Sequence, residues 1–178
     1  MAVAVKRCVG VLITDETVVC AVKCAGGETA VFSPEDAAFV SRHYWSRTPG
    51  GYVKRANSAF GKSAIRMHRD VLERAGVDLT DRQVDHVDGD KLDNRREKLR
   101  ACTATQNRQN MPAMRNNKLG VRGVRKIGNR YTATIRVGRR NVHLGYFKTL
   151  RGAAEARKCA ELKHFGEFSV LNRGDQNG

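Results

Sequence analysis

Residues 84–110 read VDHVDGDKLDNRREKLRACTATQNRQN, and the reading of this stretch decides the fold around it. It opens on an adjacent carboxylic acid and imidazole, Asp85 and His86. It then passes an Asp88-Gly89-Asp90 turn and closes on a short polar segment carrying Asn107 and Asn110. Side chains alternate along a strand, so a strand ending at Asp85-His86 sends these neighbours to opposite faces. One can hold a metal while the other acts on a water. If the chain returns as a strand over 99–102, a helix capped by Thr103 places Asn107 one turn in, where it can face the same site. Asp and Asn oxygens leave most positions of a hard divalent ion open, as a metal that must also grip a phosphate requires.

An Asp-His pair by itself in a polar loop is most often a solvated turn. Here it is joined by GDKLDNR and TATQN at matching separations, with strand, turn and helix in the needed order. Together these words resemble the HNH nuclease motif, the ββα-metal fold, in the form carried by phage homing endonucleases. The resemblance implies Asp85 as metal ligand, His86 as general base for the attacking water and Asn107 as second ligand. The implied cofactor is one divalent ion, Mg2+ or alternatively Mn2+. One position departs from the family: Lys98 stands in KLR where Asn usually precedes Leu-Arg. That Asn braces the loop through backbone hydrogen bonds, so either Asn94 does the bracing or the loop is held differently. Arg95, Arg96 and Arg100 are expected to neutralise flanking phosphates.

The electrostatics of the chain fit a polyanionic partner. Of 178 residues 33 are basic and 18 acidic, a formal net charge of +15, which favours nucleic acid or an anionic membrane surface. The charge is uneven. Residues 111–178 hold 15 basic against 4 acidic residues, a net of +11, whereas residues 1–110 hold 18 against 14, a net of +4. No stretch approaches the 18 or so apolar residues of a membrane span, and Lys6 and Arg7 interrupt the first apolar run. The five cysteines are odd in number and sparse, which favours reduced thiols and a cytosolic setting over a secreted disulfide scaffold. Cys8, Cys20 and Cys24 lack a paired C-x2-C unit and fall in apolar alternation, so they read as core rather than zinc ligands.

Upstream of the motif, residues 8–32 alternate in the strand manner with turns at Asp15-Glu16 and Gly26-Gly27, a small antiparallel meander. Ser33-Pro34-Glu35-Asp36 is a helix start, with a capping Ser and Pro at the first position, leading to about Arg42. Strands are expected near 52–56 and 63–67, then a helix from His68-Arg69 to Gly76. The run from Ser33 to His68 resembles the segment that precedes the nuclease motif in this family, which implies a core role for Trp45. His68 reads as a structural or phosphate-contacting histidine.

Downstream, Pro112 ends the helix and 111–118 reads as a linker. Residues 119–172 then show three strands at 121–126, 131–137 and 141–147, and a helix over 150–165 rich in small residues. The helix covers one sheet face. The other carries Arg122, Arg125, Lys126, Arg130, Arg136, Arg139 and Arg140, and a three-stranded sheet can enter a major groove where Arg reads guanine edges and phosphates. The words GVRGV, YTATIRV, HLGYF and FGEFSVLN resemble the plant ethylene-response-factor (Apetala-type) DNA-binding domain over nearly all of 119–172. That resemblance implies DNA contacts by Arg122, Arg125, Arg130 and Arg136.

The expected architecture is therefore α+β. A β meander occupies 1–32, an HNH nuclease domain 33–110, a linker 111–118, an ethylene-response-factor type domain 119–173 and a tail 174–178. The expected function is metal-dependent hydrolysis of a phosphodiester in double-stranded DNA by a homing-type endonuclease. Its site is chosen by the C-terminal sheet, without membrane or small-molecule partner, and a monomer is favoured. The rival from another class is a non-catalytic DNA-binding factor, transcriptional or architectural, carrying a relic motif. RNA binding is a third reading that charge alone leaves open.

Overall fold

Sixteen elements, most of them short, follow one another in a computed structural model that describes residues 9–14, 17–56, 64–111, 113 and 117–172. In chain order they are β1 (Val9–Thr14), β2 (Thr17–Lys23), β3 (Thr29–Phe32), α1 (Ala37–Val40), β4 (Ser46–Arg47), β5 (Val53–Ala56), β6 (Ala64–Arg66) and α2 (Met67–Arg74). Next come β7 (Gln83–His86), β8 (Asp93–Asn94), β9 (Leu99–Cys102) and α3 (Ala104–Gln109). The chain ends with β10 (Val124–Ile127), β11 (Arg130–Val137), β12 (Arg140–Phe147) and α4 (Leu150–Phe165). Contacts group them into two compact units, residues 1–103 and 104–178. The division falls before α3, ahead of the linker expected at 111–118. The tail expected at 174–178 and the Cys8 position lie outside the described residues.

In the first unit the meander is not a separate domain. β1, β2 and β3 pair antiparallel, and β3 then takes β8 as a parallel neighbour through Val31 with Asp93 and Phe32 with Asn94. Cys20, Val22, Ala30 and Phe32 share one core with Val40, Trp45, Val53, Met67, Val71, Val84 and Leu99. Pooling is the physical reason: aromatic residues are 6% of the chain, and two small cores built from so few rings are each marginal. Trp45 lies at the centre, 1% exposed, and its indole Nε1 donates to Val40 O at 2.9 Å.

Ser33 does not cap the helix as expected. Pro34–Asp36 forms a 3-10 turn without a side-chain cap, and the Ser33 hydroxyl instead accepts from the Arg96 backbone N–H at 2.9 Å. Asp36, 1% exposed, is gripped by the Arg96 guanidinium through bonds of 2.9 and 2.8 Å.

In the second unit β10, β11 and β12 form an antiparallel sheet with α4 on one face, where Val124, Ala133, Ala153 and Ile135, Ala160, Phe165 make two small clusters. Thr149 caps α4 by accepting from Gly152 N–H at 3.1 Å. Along α4 the buried positions include Arg157 and Glu161, paired at 2.7 Å, while Leu162 is 46% exposed. β10 starts three residues later than expected because Gly123, at φ 75, lies against Thr134. A Cβ there would sit 2.3 Å from Thr134 O, so only glycine lets the loop close on the sheet. Among the described residues no helix is long and apolar enough to cross a membrane.

Candidate active site

The hairpin of β7 and β9 puts Asp85 opposite Arg100 and His86 opposite Leu99. Asp85 and His86 are 6% and 5% exposed, a depth at which polar groups need partners. Arg100 donates to Asp85 Oδ2 from Nε at 3.0 Å and from Nη2 at 2.8 Å, a cross-strand charge pair. His86 stands among rings, 5.0 Å from His68 and 6.0 Å from Tyr52 between centroids, with Tyr52 and His68 5.3 Å apart. Tyr52 is in turn covered by Arg66, 4.9 Å from the ring centre, and by the Lys91 ammonium at 4.5 Å.

This setting controls protonation. Burial pushes the His86 imidazole below its ordinary value, opposed by a hydrogen bond with Asn94 and by the Asp85, Asp90 and Asp93 carboxylates. His68 falls to about 3, through burial first and then the neighbouring His86, Arg66 and Arg69. Both rings are therefore neutral near pH 7, and a neutral imidazole can accept a proton.

The loop after His86 is tied at several points. Gly89 N–H donates to His86 O at 3.0 Å with the glycine at φ 79, and Val87 N–H donates to Lys98 O at 2.9 Å. Asn94, fully buried, donates to Leu92 O at 3.0 Å and Lys91 O at 3.5 Å. Lys98, in the position that departs from the family pattern, reaches Asp88 at 2.6 Å. Asn94 thus holds the loop by its amide and Lys98 by its charge, and the Asp90 carboxylate accepts from Leu92 N–H at 2.9 Å.

The expected phosphate-binding arginines of this unit are committed elsewhere. Arg95 is bonded to Asp93 at 2.6 Å, Arg96 to Asp36, and Arg100 to Asp85, so each guanidinium neutralises a carboxylate of its own unit. Asn107 lies on α3, in the second unit. Asp85 offers carboxylate oxygen, a donor type that suits a hard divalent cation, while Cys102, the hairpin's thiol, is buried and turned to Gln83 O. Tyr52 was not anticipated as a neighbour of His86. Its place beside the Pro49-Gly50-Gly51 turn, which brings β4 and β5 together, was the only available signal.

On the C-terminal sheet the register sorts the basic residues. Cross-strand partners share a face, and Arg125, Thr132 and Tyr146 are partners, as are Arg136 and Asn141. Alternation adds Arg130 to this uncovered side. Lys126 pairs with Tyr131, itself the partner of Phe147, and Arg140 pairs with Val137, which puts both on the side that α4 covers, contrary to expectation. Arg139 belongs to the two-residue turn with Gly138. Arg122 lies outside the strands: its Nη1 donates to Gln109 O at 3.1 Å and Met111 O at 2.9 Å, which keeps it off the uncovered face of the sheet.

Comparison with known proteins agrees with the hairpin. A family model described as HNH endonuclease matches residues 67–109. A viral protein, an uncharacterized HNH endonuclease of Acanthamoeba polyphaga mimivirus, is 30% identical over 152 residues, covering 84% of this chain and 77% of that protein. No solved structure matches the chain. The matched span contains the strand with Asp85 and His86, the returning strand and the helix with Asn107, and the chain belongs to the HNH endonuclease family.

Proposed function

We propose that this endonuclease hydrolyses a phosphodiester of duplex DNA with one divalent metal ion, Mg2+ or alternatively Mn2+, held by Asp85 and Asn107. The observation that carries the reading is His86: it is 5% exposed, next in sequence to Asp85, and kept neutral by burial. A buried neutral imidazole beside a carboxylate is a general base, and it takes a proton from the attacking water at a ring nitrogen. Asn94 and the Tyr52–His68 ring pair fix the imidazole's plane, and Arg100 fixes the Asp85 carboxylate. Bound there, the ion supplies positive charge to the scissile phosphate and the leaving 3' oxygen. The span of the family match, 67–109, includes Asp85, His86 and Asn107 and supports treating them as one set.

The C-terminal sheet acts as the DNA reader, resembling the ethylene-response-factor domain, with Arg125 and Arg130 on its uncovered face beside the exposed Tyr146. This division, a cutting hairpin with a separate reader, is that of a homing-type enzyme acting as a monomer. The test is plasmid nicking in Mg2+ against EDTA. His86→Ala is expected to abolish cutting while duplex binding persists; full cutting by that variant would refute the assignment of the base.

A further inference from the structure

The second unit contains a basic pocket that the proposed reading leaves unused. A cavity of about 170 Å3 lies beside α3, lined by Thr105, Arg108, Gln109, Arg122, Arg136 and Arg139. This is room for several waters, or one hydrated oxyanion. No carboxylate lines it among the described residues, and Arg108, Arg136 and Arg139 enter no ion pair there. The contrast with Arg95, Arg96 and Arg100, each matched to an acid, is plain. Four like charges around one space repel one another, and an anion relieves them.

The floor of the pocket is rigid. Arg122 is held through Gln109 O and Met111 O, and its own carbonyl accepts from Arg157 Nε at 3.0 Å. The pocket opens beside the half of β11 that β10 leaves uncovered, since β10 pairs no further than Ala133. Its helical wall has residues 105, 108 and 109, spaced i, i+3 and i+4, which share one side of α3. At about 100° per residue Asn107 falls on the other side of that helix.

We infer that this pocket seats one backbone phosphate of the duplex, so that DNA held by the C-terminal unit also grips α3 from the side opposite Asn107. The inference rests on the proposed reading of duplex DNA as substrate. Seating the phosphate locates the helix that carries the proposed second metal ligand, and Arg108 is the member that sequence reading did not single out.

The test is duplex binding by the full chain in EDTA, as a function of salt, on a cleavable duplex and an unrelated one. Arg108 is exposed, so Arg108→Gln should fold normally. Its plot of log affinity against log salt should be shallower by about 0.9, the release of one phosphate's counterion, on both duplexes alike. Arg108→Lys should restore most of the slope. An unchanged slope in Arg108→Gln would overturn the pocket. Saturable binding of inorganic phosphate at matched ionic strength, with that slope unchanged, would assign the pocket to a free phosphate and equally overturn it. Failure of the wild-type chain to nick DNA, with the slope effect intact, would fell the nuclease chemistry and leave the pocket standing.

Discussion

Arg96→Ala removes the guanidinium that holds Asp36 through bonds of 2.9 and 2.8 Å. Asp36 is 1% exposed, so its carboxylate is left with neither counter-ion nor water. Stranding a buried charge in this way costs about 3–5 kcal/mol, a large part of the roughly 5–15 kcal/mol that holds a domain together. The reverse change is milder. Some 36% of the Arg96 side chain is exposed, so after Asp36→Ala water re-solvates the cation. That loss should be about 1–2 kcal/mol. The double replacement should fall short of the sum by about 2 kcal/mol. Urea unfolding at neutral pH, followed by the fluorescence of the buried Trp45, reads all three. Equal losses below about 1 kcal/mol would refute the clasp. So would a salt slope for DNA binding that drops by about 0.9 in Arg96→Ala, since it would return Arg96 to the phosphate backbone.

The His68 imidazole is neutral in the fold down to about pH 3, whereas in the unfolded chain it protonates near its ordinary 6.5. The unfolded state therefore takes up a proton that the native state refuses. Stability from this group is whole above 6.5 and is lost as pH falls toward 3, by about 2 kcal/mol at pH 5. His68→Phe should flatten the dependence of the urea midpoint between pH 7 and 5; an unaltered dependence would sink the prediction. The loop braces should also separate by size. Asn94→Ala, which empties a fully buried amide, is expected to cost about 2–3 kcal/mol and to slow cutting. Lys98→Ala, whose ammonium is partly in water, should cost below about 1 kcal/mol; the opposite ranking would make Lys98 the true brace.

Local features were the readable ones. The strand ending at Asp85-His86, its return over 99–102 and the helix over 150–165 were all legible. What escaped was long in range. An arginine in a polar loop looks like a phosphate ligand, and nothing near Arg96 announces a buried acid 60 residues earlier. Ser33 carries every mark of a helix cap, yet its hydroxyl serves the backbone of residue 96. The extra glycine-dependent turn at Gly123 displaced β10 by three residues and carried Arg122 off the sheet, because a tight approach between chains depends on space, which residue order does not state. His86 was legible as the end of a hairpin strand, next to Asp85. Its enclosure by Tyr52 and His68 was not, since rings from separate turns meet only after folding.

The parallel pairing of β3 with β8 bears on how this enzyme can be rebuilt. The stretch matched by the family model starts at residue 67, but the turn behind the imidazole is stitched to Val31 and Phe32, and beyond them to Ser33 and Asp36. A transplant of the matched stretch into another scaffold would carry the proposed site residues while leaving behind the strand paired with their loop. A working chimera has to take β3 and the residues up to Asp36 along with the β7–β9 hairpin, as a single inheritable piece.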